Sequence, residues 1–190
     1  MLTVRHASIF SAALIVGLLL ACACSPALNW REVSSADGQF AALFPGKPQV
    51  SVREIPYGVG RIRMSMSAAG QGATLFAVGV AQLPPGSAAQ ALSYFEQALL
   101  TNTHMKTVTS PPLPALRPEV LARARSARAL RARLETGLKA AAPTQTAQPT
   151  QLVAHLLLVE DRLYQIVALG DDHLADTDLE TFFGAFKLLP

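Results

Sequence analysis

Few side chains in this 190-residue sequence have the types and spacing of a catalytic or metal site. The densest polar cluster is Asp171-Asp172-His173, whose carboxylates and imidazole are groups that bind divalent metals. No second histidine or carboxylate pair follows at ligand spacing, so solvation of a loop before a helix is the favoured interpretation. His104 and His155 have no recognisable serine or aspartate partner. We expect His104 at a strand edge and His155 within an apolar strand.

The sequence motifs of the common enzyme classes are missing. There is no HExxH zinc motif, no glycine-rich phosphate loop and no GxSxG nucleophile turn. Gly58-Val59-Gly60 lacks the third glycine of a dinucleotide site and lies between predicted strands. We therefore expect a protein that is not an enzyme and that needs no cofactor or metal.

The N-terminal segment has the pattern of a secretory signal peptide. Arg5 is the only charged side chain in residues 1–23, and residues 7–24 contain neither charge nor proline. A basic start, an apolar centre and small residues at the exit are typical of a cleaved signal. The alternative is an uncleaved inner-membrane anchor, because an apolar run of about 18 residues is at the lower limit for crossing a bilayer. Pro26, and the lack of a basic cluster beyond Arg31, favour cleavage.

The exit of this segment, Leu19-Leu20-Ala21-Cys22-Ala23-Cys24-Ser25-Pro26, resembles a bacterial lipobox. In a lipobox, small residues precede a cysteine whose thiol is diacylated and which becomes the new N-terminus. Cys22 has leucine three positions before it, whereas Cys24 has small residues at all three preceding positions and is slightly favoured. Two or three acyl chains anchor a protein stably to a membrane. The alternative is that both cysteines are ordinary apolar residues of the signal segment.

The lipobox sets the expected domain organisation and location. We expect a signal peptide over residues 1–23, a lipid-anchored linker over 24–38 and one domain over 39–190. No cysteine lies beyond Cys24, which excludes an internal disulfide in the mature chain. Neither Ala23 nor Ser25 is the acidic retention signal of inner-membrane lipoproteins. The resemblance therefore implies an outer-membrane protein that faces the periplasm.

Alternating and three-to-four-residue apolar patterns predict an α+β domain with a twisted antiparallel sheet. An amphipathic helix over 87–101 and a short C-terminal helix over 177–186 would pack on this sheet. Residues 119–139 fit either a helix or a strand, and the strand is chosen because a clear hairpin follows. The predicted strands cover residues 39–44, 49–55, 61–67, 73–83, 104–109 and 119–139, and the hairpin covers 151–169. We expect a single core that contains Leu43, Phe44, Met64, Met66, Phe76, Val78, Phe95, Leu156, Ile166, Phe182 and Phe186.

Two ends of the domain carry a resemblance to a known family. Residues 38–48, GQFAALFPGKP, resemble the first strand and turn of PsbP-like domains, and the phenylalanine-rich residues 182–188 fit the closing helix. Residues 24–26 and 29–32 are similar to small proteobacterial lipoproteins of unknown function. The resemblance implies a twisted sheet with helices against it and a docking or assembly role without catalysis. No catalytic residue is carried over from this family.

Charge is unevenly distributed along the mature chain. Loss of Arg5 leaves 15 basic and 13 acidic side chains, an excess that gives no support for a nucleic-acid partner. Residues 117–139 contain seven basic and two acidic side chains, whereas residues 160–180 contain one basic and seven acidic. These segments either complement each other within the fold or form a basic face that contacts phosphate headgroups or an acidic partner. The candidate contacts are Arg123, Arg125, Arg128, Arg131 and Arg133.

Together these patterns favour a non-catalytic, lipid-anchored protein of the cell envelope that binds or assembles with another envelope protein. A second hypothesis is a periplasmic hydrolase whose site is assembled from His104, His155 or His173 with an acidic partner. A structure discriminates between them, because the enzyme requires two of these histidines to meet in one pocket with a carboxylate or a nucleophile.

Overall fold

A computed structural model describes residues 28–71, 74–107, 115–134, 150–171 and 174–190 of the chain. The predicted signal peptide and both candidate lipidation sites, Cys22 and Cys24, lie outside these residues. Within the described residues, no helix has the length and apolar character that crossing a membrane requires. The described residues confirm the α+β class, and each strand pairs antiparallel with its neighbours.

Along the described residues, five strands precede the first helix, and five more strands and two more helices follow it. The strands are β1 Arg31–Ser35, β2 Phe40–Phe44, β3 Gln49–Tyr57, β4 Gly60–Gln71, β5 Thr74–Gln82, β6 Met105–Thr107, β7 Ser126–Leu134, β8 Gln151–Val159, β9 Arg162–Gly170 and β10 Lys187–Leu188. The helices are α1 Ala88–Thr103, α2 Pro118–Arg123 and α3 Asp176–Ala185.

The larger sheet has seven strands in the order β3-β4-β5-β9-β8-β7-β6. Strands β8 and β9 form the predicted hairpin, in which Val159 pairs with Arg162 across a two-residue turn. All nine residues of β8 are buried, so this strand is covered on both of its faces. That double burial explains why its sequence is a continuous apolar run instead of an alternating one.

The remaining three strands form a separate sheet in the order β1-β2-β10. The prediction of one sheet is therefore wrong in this respect, since β2 pairs with β1 and β10 and not with β3. Strand β1 lies in the segment expected to be a linker, and its Arg31 pairs with Phe44. Before it, Trp30 packs edge-on against Phe76 with ring centroids 5.2 Å apart. The short β1 escaped prediction because it has only one partly buried apolar residue, Val33, in five positions.

Two cores lie on opposite faces of the seven-stranded sheet, so the prediction of a single core is wrong. Successive side chains of a strand point to opposite faces, and this divides the predicted core residues into two groups. The α1 core contains Met64, Phe95 and Leu156, with half-buried Met66 packed against it. The α3 core contains Phe44, Phe76, Val78, Ile166, Phe182 and Phe186. Leu43 is only half-buried.

Residues 118–134 contain both of the alternatives that the sequence left open. The strand prediction is wrong for residues 119–123, which belong to helix α2, and correct for 126–134, which form β7. Pro118 occupies the first turn of the helix, where the missing N–H costs nothing, and Val120 is buried in the α3 core. Residues 135–139 lie outside the described residues.

Candidate functional site

The described histidines do not meet in one site. His155 lies on β8, is 8% exposed and packs edge-on against Phe183 of α3 with ring centroids 4.9 Å apart. His104 ends helix α1 in a left-handed conformation, with φ 55°, and is exposed. Because α1 and α3 pack on opposite faces of the sheet, the sheet separates these two side chains. His173 and Asp172 lie outside the described residues.

The part of the chain that the structure describes contains no group of three or more histidine, cysteine, aspartate or glutamate residues that could hold a metal ion. Asp171 is described, and its backbone carbonyl accepts a hydrogen bond from Gln151 Nε2 at 3.1 Å. This bond joins the residue after β9 to the start of β8.

The five arginines proposed as partner contacts are spread over different parts of the molecule. Arg123 lies at the end of α2 and donates to the carbonyls of Leu188 and Leu189. Arg125 precedes β7 and is exposed, with its backbone N–H bonded to the carbonyl of Leu158 at 2.8 Å. These two residues therefore help to fix the chain around the C-terminus and the start of β7.

The three arginines within β7 follow the alternation of the strand. Arg128 forms an ion pair with Glu96 of helix α1. Arg131 points to the opposite face, where Nη2 lies 3.8 Å from Oδ1 of Asp176 on α3. The arginines of β7 thus do not share one face, and Arg131–Asp176 is a direct pair between the basic and acidic segments. Arg133 is also exposed.

A groove of about 410 Å³ lies on the α3 side of the larger sheet. It is bounded by the turn between β1 and β2 and by strands β3, β4, β5 and β9. Its described lining contains hydroxyl, amide, carboxylate, guanidinium and aliphatic groups, but neither histidine nor cysteine. The lining residues are Ser35, Asp37, Gly38, Val50, Val52, Arg63, Ser65, Val80, Gln82 and Arg162.

Exposed valines form the apolar floor of the groove. Val50 is 65% exposed and Val52 is 48% exposed, although both lie within a strand. They face the groove because Val52 is directly opposite Ser65 and Val50 is opposite Ser67 in the β3–β4 register. Adjacent exposed valines beside a cleft are more typical of a binding surface than isolated apolar residues are.

Two guanidinium groups border this floor. Arg162 Nη1 donates to the backbone carbonyl of Asp37 at 2.8 Å, and Arg162 also hydrogen-bonds Tyr164. Burial raises the pKa of the Tyr164 phenol, although Arg162 and Arg123 both act to lower it. The hydrogen bonds to the Asp37 carbonyl and to Tyr164 hold the Arg162 guanidinium at the groove.

Arg63 is exposed and makes no ion pair with a described residue, although Glu54 is its cross-strand neighbour. With Asp37 on the other side, the groove combines charges of both signs around an apolar floor. Ser35 Oγ accepts a hydrogen bond from the N–H of Gly38 at 3.1 Å.

Sequence reasoning did not find this groove. Its valines and Arg63 belong to the runs that became β3 and β4. These runs predicted strands, but they did not predict which other segments lie opposite their side chains. The other side comes from residues 35–38 and Arg162, which are remote in the sequence. Comparison of the chain with protein-family models, curated proteins and solved structures gives no match.

Proposed function

We propose that this protein is a non-catalytic, lipid-anchored binding module of the bacterial cell envelope. In this proposal, Cys24 or Cys22 carries the acyl chains, the domain faces the periplasm from the outer membrane, and an envelope protein binds in the groove beside β3. The observation that carries the proposal is the groove itself, in which Arg63 and Arg162 border the exposed valines of an edge strand.

The chemistry of the groove defines the segment that would bind. A segment of the partner that carries an apolar residue beside a carboxylate matches a valine floor with guanidinium groups at its border. Arg162 is already held in place by Asp37 and Tyr164, so binding requires less ordering of this side chain. Arg63 makes no ion pair with a described residue, so binding a carboxylate breaks no such contact.

A PsbP-like architecture is part of this proposal. It is supported by the α+β class and by contact between the two chain segments that resemble that family. Phe40, at the start of β2, stacks on Phe186, at the end of α3, with ring centroids 6.0 Å apart. Such domains bind other proteins without catalysis, which agrees with a binding role for the groove.

The test is site-specific photo-cross-linking of the full-length chain in a bacterial envelope. A photoreactive residue replaces Val52 in the groove, and a matched control replaces Leu121, which is 42% exposed on α2. We expect a defined adduct at position 52 with an envelope protein other than a second copy of this chain, and none at 121. Replacement Arg63→Gln should reduce this adduct at least about fivefold, because a charge-assisted hydrogen bond is lost. The same adducts at both positions, or an adduct indifferent to Arg63, would contradict the proposal.

A further inference from the structure

Strand β3 forms one edge of the larger sheet, and none of the described strands pairs with its outer side. At the C-terminal end of β3, Tyr57 pairs with Gly60 across the two-residue turn Gly58-Val59. The closing pair of such a turn exchanges both backbone hydrogen bonds, and these pairs recur at every second residue. The backbone groups of Ser51 therefore point to β4, whereas those of Val50 and Val52 point outward.

The two halves of β3 differ in their protection against pairing with another strand. In the second half, Pro56 lacks the outward N–H, and Arg53-Glu54 carries charges that discourage edge contacts. The first half, Gln49–Val52, contains neither charge nor proline, and it includes both exposed valines. Among the described strands, none pairs with the outward backbone groups of this uncharged half of the edge.

We propose that the occupant of this edge is β3 of a second copy of the chain, paired antiparallel about a two-fold axis through Ser51. Val50 of each copy then pairs with Val52 of the other, and Gln49 lies opposite Arg53. Both valines direct their backbone groups outward, so each pair exchanges two hydrogen bonds. The two larger sheets become one continuous sheet.

The chemistry of the strand selects this register among those that two-fold symmetry permits. A two-fold axis perpendicular to the sheet keeps the faces of both copies aligned, so outward residues must pair with outward residues. Centring the axis on Arg53 would place two guanidinium groups opposite each other, which is unfavourable. Centring it on Val52 would place each Val50 opposite the carboxylate of Glu54. Only the axis through Ser51 groups the four valines together and opposes no like charges.

The pairing has a consequence for the groove. Val50 and Val52 project from the face of β3 that forms the groove floor, so pairing leaves these side chains on the surface of the joined sheet. The grooves of the two copies then share one floor of four valines. This inference does not depend on the ligand proposed above, because the backbone edge and not Arg63 or Arg162 makes the contact.

Disulfide cross-linking of the full-length chain tests the proposed register. In the paired state the two Ser51 residues form a pair without backbone hydrogen bonds, with Cα atoms about 4.5 Å apart, a separation that a disulfide spans. The two Val52 residues are about 8 Å apart, since they are offset along the strands. Ser51→Cys should therefore form a cross-linked dimer under mild oxidation, with a yield at least about tenfold above that of Val52→Cys.

Two further samples complete the experiment. The parent chain measures any cross-linking through Cys22 or Cys24, since no other cysteine is present. Adding Val50→Lys to Ser51→Cys should reduce the dimer at least about tenfold, because a lysine on an exposed edge opposes strand pairing. Circular dichroism checks that each variant is folded. Folded Ser51→Cys that does not cross-link above the parent overturns the proposal. So does an equal yield from Val52→Cys, or a yield unchanged by Val50→Lys.

Discussion

The guanidinium of Arg162 donates a hydrogen bond of 2.8 Å to the backbone carbonyl of Asp37. Arg162 opens β9 of the larger sheet, and Asp37 lies in the turn between β1 and β2 of the smaller one. This hydrogen bond joins the small sheet's turn to the large sheet. The same bond closes one side of the groove.

Replacement Arg162→Ala should lower the free energy of unfolding by about 1–2 kcal/mol, because a hydrogen bond from a charged donor is lost. Chemical denaturation measures this change. Arg63→Ala is the matched control, since Arg63 lines the same groove without a described hydrogen bond, and it should stay within about 0.5 kcal/mol of the parent. Equal effects of the two substitutions would show that the bond to Asp37 does not stabilise the fold.

Each of the two cores should depend on a phenylalanine from its helix. Phe95 on α1 is 3% exposed, and Phe182 on α3 is 0% exposed. Replacement of either by alanine should cost about 3–5 kcal/mol, since a large cavity remains. Thermal and denaturant unfolding measure the loss, with Leu121→Ala on exposed α2 as a control. Transitions that match the parent would contradict the packing assigned to these helices.

Two strand glycines should respond differently to the addition of a methyl group. A Cβ at Gly70 would lie 2.7 Å from the backbone carbonyl oxygen of Thr74, whereas one at Gly79 would meet the flexible ends of Met64 and Met66. Gly70→Ala should therefore destabilise the fold by about 1–3 kcal/mol. Gly79→Ala should change stability by less than about 1 kcal/mol, because the methionine ends move aside and alanine is favoured over glycine in strands. Denaturant midpoints compare the two, and a larger loss from Gly79→Ala would contradict the prediction.

Stability should fall at alkaline pH because of Tyr164. Burial raises the pKa of this phenol above its ordinary value of 10.0. The unfolded chain therefore releases the proton at a lower pH than the folded one. The contribution of the neutral Tyr164 phenol to the free energy of unfolding is fully present below pH 10. It is lost as the pH rises through the pKa of the phenol in the folded protein. Tyr164→Phe should make the free energy of unfolding fall less steeply above pH 10, and parallel curves for parent and variant would argue against this linkage.

Single substitutions Cys22→Ser and Cys24→Ser should identify the acylated residue. Only the true acceptor should abolish incorporation of labelled palmitate and leave an unprocessed precursor, because the thiol is the group that carries the lipid. The other substitution should have almost no effect. Labelling and membrane fractionation of the full-length chain provide the readout. If the double variant is still processed normally and fractionates with membranes, a transmembrane anchor replaces the lipid anchor.

The elements that local patterns define were the ones that sequence reasoning could predict. The β8–β9 hairpin was predicted over residues 151–169 and is observed over Gln151–Val159 and Arg162–Gly170, because two long apolar runs flank a short polar turn. Helix α1 was predicted over 87–101 and ends two residues later. These elements are determined by residues that are close together in the sequence, so local sequence patterns predict them.

Features that depend on distant pairing could not be predicted in the same way. The five-residue strand β2 is apolar on both faces, so its pattern does not say whether it joins β3 or β1. Helix α3 begins at Asp176 after the N-cap residue Ala175, so the capping-box spacing of Thr177 and Glu180 does not mark the start of the helix. The groove combines residues 35–38 with Arg162, and only the register of the strands brings them together.

The double burial of β8 and β9 couples the two sides of the domain thermodynamically. Side chains of β8 alternate between the α1 core and the α3 core. Loss of packing in one core therefore also disturbs the strand against which the other core packs. Detachment of α1 or α3 alone would expose one face of a strand that still supports the other. The hairpin therefore makes the two cores a single cooperative unit of unfolding, despite the sheet that separates them.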